Sequence, residues 1–250
     1  MKILIFSSLI FFIILSCTKN DTPNDPKPTS STLVKSDRYE SISIGNFTVD
    51  LTYDAQNRII LNKVSYDSNF ILDYRVETEY TLKDVVENKY DELNNLVETN
   101  IYLLNSRNLS DSSIERNGTL RSKMSYDNDD HLIYQKVYNE NNTLYEIRTM
   151  LYQDGNIVSF TARSPNGSFI YSIEYSDYDL NKISTLSNAN FGSSFRGKSS
   201  KNYFMKSIST VGTKVTEFEF KPIYDNKGRI IMTSAYFGPD FLSKETISYY

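Results

Sequence analysis

Cysteine, histidine and tryptophan are almost missing from this 250-residue chain, which has one Cys, one His and no Trp. With Cys17 as its only thiol, the chain can form no internal disulfide, so its fold must hold without covalent staples. A cysteine nucleophile, a zinc cluster and a His-dependent relay all lack their residues. No serine elbow, phosphate loop or dinucleotide fingerprint is present, and no cofactor is implied. Basic residues are the minority, with 27 Lys+Arg against 31 Asp+Glu; the net charge of −4 becomes −5 once residues 1–16, which carry Lys2 and no acid, are removed. That balance argues against nucleic acid or an anionic lipid surface as partner, since both select a basic face.

The amino-terminal end reads as an export signal. Lys2 is followed by an apolar run from Ile3 to Leu15, and Ile14-Leu15-Ser16-Cys17 places a small residue and then cysteine at the cut. The run is too short to span a bilayer as a helix, which takes about 20 apolar residues. The match is to a lipobox: residues 1–16 are the signal peptide and Cys17 is the expected lipid acceptor, the route by which the chain would contact a membrane. Each buried methylene contributes ~0.8 kcal/mol, so several acyl chains would hold it permanently. Thr18, where Asp would signal inner-membrane retention, favours the outer membrane and leaves the periplasmic or surface side open. Residues 17–37, polar and punctuated by Pro23, Pro26 and Pro28, read as a flexible tether, and residues 38–250 as one domain.

A repeat dominates that domain: Tyr, then Asp or Asn, two variable residues, a turn residue, a polar residue, and Ile or Leu. Copies begin at Tyr53-Asp54, Tyr90-Asp91, Tyr126-Asp127, Tyr138-Asn139, Tyr178-Asp179 and Tyr224-Asp225, with a compressed version at Tyr152. The Tyr ends a strand, the Asp or Asn side chain accepts backbone N–H bonds two residues on, and the Asn or Gly four after the Tyr tolerates positive φ. Each copy is therefore a hairpin connection. Flanking segments alternate, as in Phe47, Val49 and Leu51 against Thr48, Asp50 and Thr52, or Phe218 and Phe220 against Glu217, Glu219 and Lys221. The expected fold is all-β, a long antiparallel up-and-down meander of about a dozen strands at typical lengths, curved or barrel-like because its edges must be hidden. Residues 84–98 admit two readings. Val86, Tyr90, Leu93 and Val97 fall at helical spacing, whereas the repeat match and Asn94-Asn95 favour a hairpin.

The copy at Tyr224-Asp225-Asn226-Lys227-Gly228-Arg229-Ile230 resembles the tyrosine-aspartate repeat of Rhs-type surface proteins. The more irregular set, with the lipobox, the tether and Ser200-Lys201-Asn202-Tyr203, resembles a group of Bacteroidota lipoproteins of unknown function with repeated Tyr-Asp turns. The resemblance covers residues 40–250 and departs from true Rhs arrays in lacking their Gly-rich consensus and regular period. It implies an antiparallel sheet at the cell envelope, open or closed in a porin-like manner, with no activity to carry over.

The candidate chemistry is sparse. His131 occupies the polar position of a turn, where a solvated side chain is expected. Asp127, Asp129 and Asp130 form the densest acidic cluster, a weak calcium candidate without the Gly and distal Glu of an EF-hand. Twenty Tyr and fourteen Phe could stack on sugars or peptides, but packing at strand ends accounts for them first. The expected function is a non-catalytic envelope lipoprotein binding a glycan, a peptide or an envelope protein. A polymer hydrolase is the alternative, and an outer-membrane β-barrel a minor third reading.

Overall fold

The computed structural model describes residues 32–42, 45–67 and 73–250. Cys17 and most of the tether lie outside these residues. The strands are β1 (Val34–Ser41), β2 (Phe47–Tyr53), β3 (Ile59–Tyr66), β4 (Tyr74–Tyr80), β5 (Asp84–Asp91), β6 (Leu96–Leu104), β7 (Ser110–Glu115) and β8 (Leu120–Tyr126). They continue as β9 (Leu132–Tyr138), β10 (Leu144–Gln153), β11 (Asn156–Arg163), β12 (Phe169–Tyr178), β13 (Phe204–Val211), β14 (Lys214–Tyr224), β15 (Ile230–Phe237) and β16 (Asp240–Tyr249). Each pairs with its sequence neighbours, and β1 pairs with β16, so the antiparallel meander takes the barrel form of the two expected, with sixteen strands rather than about a dozen. The extra strands come from hairpins without the Tyr-Asp signature. Thr81 Oγ1 accepts the amides of Lys83 and Asp84 at 3.1 Å, and Asn105 Oδ1 those of Arg107 and Leu109 at 2.8 and 3.2 Å. Residues 84–98 are the β5–β6 hairpin and its turn, not a helix. Residues 34–37, grouped with the tether on composition, are the first half of β1, where Val34 and Asp37 are buried.

The repeat turns share one geometry. Asp54, Asp91, Asp127, Asn139 and Asp225 each accept, on Oδ1, the amides two and four residues on at 2.8–3.0 Å. Asn57, Asn94, Asp130, Asn142 and Gly228, each four after its Tyr, have φ between 55° and 76°. Because hairpins alternate between the barrel's ends, the copies at Tyr53, Tyr126, Tyr152, Tyr178 and Tyr224 fall on one end and those at Tyr90 and Tyr138 on the other. At the first end the tyrosines act as clamps between neighbouring strands. Tyr53, Tyr126 and Tyr249 donate to the carbonyls of Val34, Ser110 and Ile230, the first residues of the preceding strands, at 2.7, 2.9 and 2.7 Å. Tyr178 makes the matching bond to Ile157.

The same end is stopped by residues 179–203, which connect β12 to β13 across it. This plug meets the rim at well-separated points. Asn190 O accepts from Val34 N (2.9 Å), Gly192 O from Ile59 N and the Tyr80 hydroxyl (both 3.2 Å), and Thr185 Oγ1 from Ile230 N (3.0 Å). On the far side Lys198 N and Lys201 N donate to Asp130 O and Gly155 O at 2.7 and 2.9 Å. A Cβ on Gly197 (φ 86°) would lie 2.7 Å from Asp130 O and against the Tyr126 ring, and one on Gly192 would lie 2.5 Å from Ile59 N. Only glycine lets the plug sit this close.

Inside, Val34, Leu51, Phe218, Ile230 and Ile247 pack with Tyr203 of the plug around β1–β3 and β14–β16, while Met150, Phe160, Ala162 and Ile173 form a second cluster on β10–β12. The opposite parity points outward and carries charged side chains among exposed apolar ones such as Leu151, Val215 and Ile223. On β14 Phe218 and Phe220 are buried and Glu217, Glu219 and Lys221 exposed; on β1 Asp37 and Tyr39 are buried while Arg38 and Glu40 face out. Outward charges pair along and across strands, as in Lys206–Glu217 (2.8 Å), Lys244–Glu40 (3.1 Å) and Arg75–Glu77 (2.9 Å).

The closing seam carries one unusual pair. Asp37 on β1 and Glu245 on β16 both point inward and hydrogen-bond to each other. Burial pushes the Asp37 carboxyl up to about 6, and burial with the neighbouring Asp37 raises Glu245 well above the ordinary carboxylate range. The unfolded chain releases these protons near pH 4 and the folded barrel holds them longer, so the seam is at full strength below pH 4 and weakens as pH rises through about 6. The raised carboxyls therefore make the seam a source of stability in acid that is lost toward neutral pH. Glu245→Gln is expected to raise the urea midpoint at pH 8 and to leave it nearly unchanged at pH 4; an unchanged or lower midpoint at pH 8 contradicts this account. Gly197→Ala is expected to cost on the order of 2 kcal/mol or more in the same assay, through strained φ and the contact with Asp130 O. A cost below about 0.5 kcal/mol would show that the plug does not need its close seat.

Candidate ligand-binding site in the barrel lumen

Between the plug and mid-barrel, from β6 round to β14, lies a cavity of about 300 Å³. That is the lower end of the range for small-molecule sites, ~300–1,000 Å³. Its wall has two sides. Met150, Ile157, Phe160, Ile173, Phe204 and Phe220, from β10 to β14, make an apolar arc. Tyr102, Ser113, Ser122, Gln135 and Arg148, from β6 to β10, make a polar arc, and Arg196 reaches in from the plug.

The two arginines are held in different ways. Arg196 lies in the plug's short 3-10 turn, Ser194–Arg196. Its guanidinium donates to Glu87 Oε1 on β5 at 2.6 Å and to the Tyr102 hydroxyl at 3.1 Å, 4.8 Å from the centre of the Tyr102 ring. Burial works against its charge, but Glu87 and Tyr102 more than offset that and hold it protonated. Neighbouring Phe195 packs on Tyr80 and Tyr102, so this corner latches the plug to the wall. Arg148 instead pairs within its own strand, Nε to Glu146 Oε1 at 2.5 Å, and reaches Gln135 Oε1 at 3.4 Å. Beside them the Ser113 and Ser122 hydroxyls bond to each other at 2.8 Å. Burial raises the Tyr102 and Tyr175 phenols, so both stay neutral.

The residues singled out in the sequence fall elsewhere. Cys17 is outside the described residues. Tyr152 alone of the repeat tyrosines lines the cavity, and it stacks on His131 with ring centres 4.3 Å apart. His131 is thus not a solvated turn residue: it is 7% exposed, because its segment forms a bridge with Lys198 of the plug. Asp127, Asp129 and Asp130 do not converge as a calcium site either. Asp130 turns inward to an ion pair with Arg107 at 2.7 Å, where burial raises its carboxyl and Arg107 draws it back. The atoms that do approach one another, within 4.8 Å, belong to Asp127, Asp129 and His131, and Asp127 is already bonded to the His131 ring at 3.1 Å. The remaining repeat residues, Tyr53, Asp54, Tyr90, Asp91, Tyr138, Asn139, Tyr178, Asp179, Tyr224 and Asp225, hold turns and rim. Of the lumen, β10 alone carried a legible signal: Glu146 and Arg148 share the inward parity of Met150 and Tyr152, two charges on an apolar face. Glu87 and Arg196, 109 residues apart, left no local signature.

No family model matches this sequence, and no curated protein does. Among solved structures, a porin-like protein from Bacteroides uniformis is similar with a TM-score of 0.64 at 14% identity, covering 87% of this chain and 98% of that one. A porin-like protein from Bacteroides vulgatus is similar with a TM-score of 0.55 at 10% identity, over the same shares. At such identities the likeness is one of fold: the chain shares a closed antiparallel barrel with these proteins.

Proposed function

We propose that the chain is a lipoprotein of the bacterial outer membrane, held through Cys17, whose plugged barrel keeps a small ligand in its lumen without acting on it chemically. The observation that carries this reading is the mainly apolar cavity beneath the plug, in a barrel whose outer wall carries charged side chains along its strands. A spanning barrel presents an apolar band about 25 Å tall to lipid. Here Arg38, Arg75, Lys206, Glu217, Glu219 and Lys244 occupy outward positions. A barrel anchored by its tether keeps those charges in water, and β1, the first strand after the tether, begins at the plugged end.

The hydrolase reading gains nothing from the lumen. The carboxylates nearest the cavity, Glu87 and Glu146, each hold an arginine. The Asp37–Glu245 pair is in hydrogen-bond contact, short of the ~5–9.5 Å that separates glycosidase carboxylates, and it does not line the cavity.

Two measurements test the proposal. In cells, Cys17→Ala is expected to move the protein from the carbonate-resistant membrane fraction to the soluble fraction; retention in the membrane would mean that the barrel spans it. In vitro, the purified protein is expected to take up the neutral fluorophore N-phenyl-1-naphthylamine. Ile173→Trp and Ser207→Phe, which fill the cavity from two strands, should each abolish the uptake with the circular dichroism unchanged. Uptake that survives both places the probe outside the lumen.

A further inference from the structure

The lumen also constrains the charge of what it holds, an inference that rests on the lumen-binding reading above. Both guanidinium groups on the cavity wall are already matched one to one by carboxylates: Arg148 by Glu146 at 2.5 Å and Arg196 by Glu87 at 2.6 Å. Each pair is drawn in tightly. Glu146 is 7% exposed, and Glu87 and Arg196 are 16% and 24% exposed. An anionic ligand would have to pull an arginine from its partner and strand that carboxylate in a buried site, and a cationic ligand would do the converse to an arginine. Breaking one half of a buried ion pair is far more costly than leaving it intact. Burying a ligand charge with no counter-charge meets the same penalty.

What the polar arc can still exchange is neutral hydrogen bonding. The Ser113–Ser122 pair needs one hydroxyl hydrogen for its internal bond, so the other hydroxyl can donate outward. Gln135 meets Arg148 through Oε1, which leaves its NH₂ group as donor. Both stand opposite the apolar arc formed by Met150, Phe160 and Ile173. We infer that the lumen selects an uncharged amphipathic molecule, with an apolar body against β10–β14 and a hydroxyl, carbonyl or amide edge against β7–β9.

The test uses three ten-carbon probes that differ only in the head group: 1-decanol, decanoate and decylammonium. Each is titrated at pH 8, below its aggregation concentration, against N-phenyl-1-naphthylamine bound to the purified protein. Decanol is expected to displace the fluorophore at a concentration lower by about tenfold or more than either ion. Glu146→Gln, which leaves Arg148 without its carboxylate, should shift the preference toward decanoate, while Glu217→Gln on the outer wall should leave the order as in the unmodified protein. Decanoate or decylammonium competing as well as decanol would overturn the inference while leaving lumen binding intact. So would a Glu146→Gln variant with an unchanged order of preference. A fluorophore that fails to bind, or whose binding survives Ile173→Trp and Ser207→Phe, would instead remove the lumen-binding reading and this inference with it.

Discussion

Pairing of β1 with β16 removes the two free edges that a sixteen-strand meander would expose, and it dictates what the interior must then contain. A ring of this strand number encloses a water-filled channel when nothing occupies it. This chain fills the ring from three sources: inward aromatics such as Phe218 and Phe220, the rim tyrosines, and the long connection after β12. The closing seam is also where the sequence tolerates its least comfortable feature, two carboxyl groups in contact at Asp37 and Glu245. Because burial favours the protonated form of both carboxyls, closure at this last strand junction is expected to be stronger in acid.

The plug satisfies the rim as well as filling it. Strand starts at Val34, Ile59, Ile157 and Ile230 present amides to the barrel end, and the plug meets each with a carbonyl or a hydroxyl: Asn190 O, Gly192 O, Ser200 Oγ and Thr185 Oγ1. Withdrawing the segment would orphan buried donors around much of the circumference. The plug is thereby fixed in register with the strands, which lets Arg196 act as a rigid part of the cavity wall rather than as a loop residue.

How much of this could be read beforehand depended on whether the signal was local. The turns were legible because an Asx side chain, a positive-φ residue and a following Ile or Leu all lie within seven positions, as at Asp54, Asn57 and Ile59. The all-β character followed from the same spacing and from the alternation at Phe218 and Phe220. The sequence pattern undercounts the strands because Thr81 follows Tyr80 where the repeat has Asp or Asn, and Asn105 follows Leu104 with no tyrosine before it. The lumen was nearly invisible. Its apolar wall looked like ordinary core, and its latch joins Glu87 to Arg196 through a segment whose composition is that of any polar loop. His131 shows the same limit: its turn position was legible, but the plug residue that buries it is 67 positions away, and no local pattern reports such a neighbour.

The likeness to porin-like barrels concerns the path of the backbone, and a backbone path does not choose its solvent. The choice is made by whichever parity faces outward. Each Lys or Arg carried to the bilayer midplane on a strand costs about 2–4 kcal/mol, and outward Lys63, Arg75, Lys206 and Lys244 sit within strands that make up most of the barrel's height. In this chain the outward parity mixes such charges with apolar side chains such as Leu151, Val215 and Ile223, while the interior joins aromatic and aliphatic clusters to a few paired charges, Glu146 with Arg148 and Glu87 with Arg196. The space left between the plug and Phe160 is then better suited to holding an apolar body than to passing water and ions.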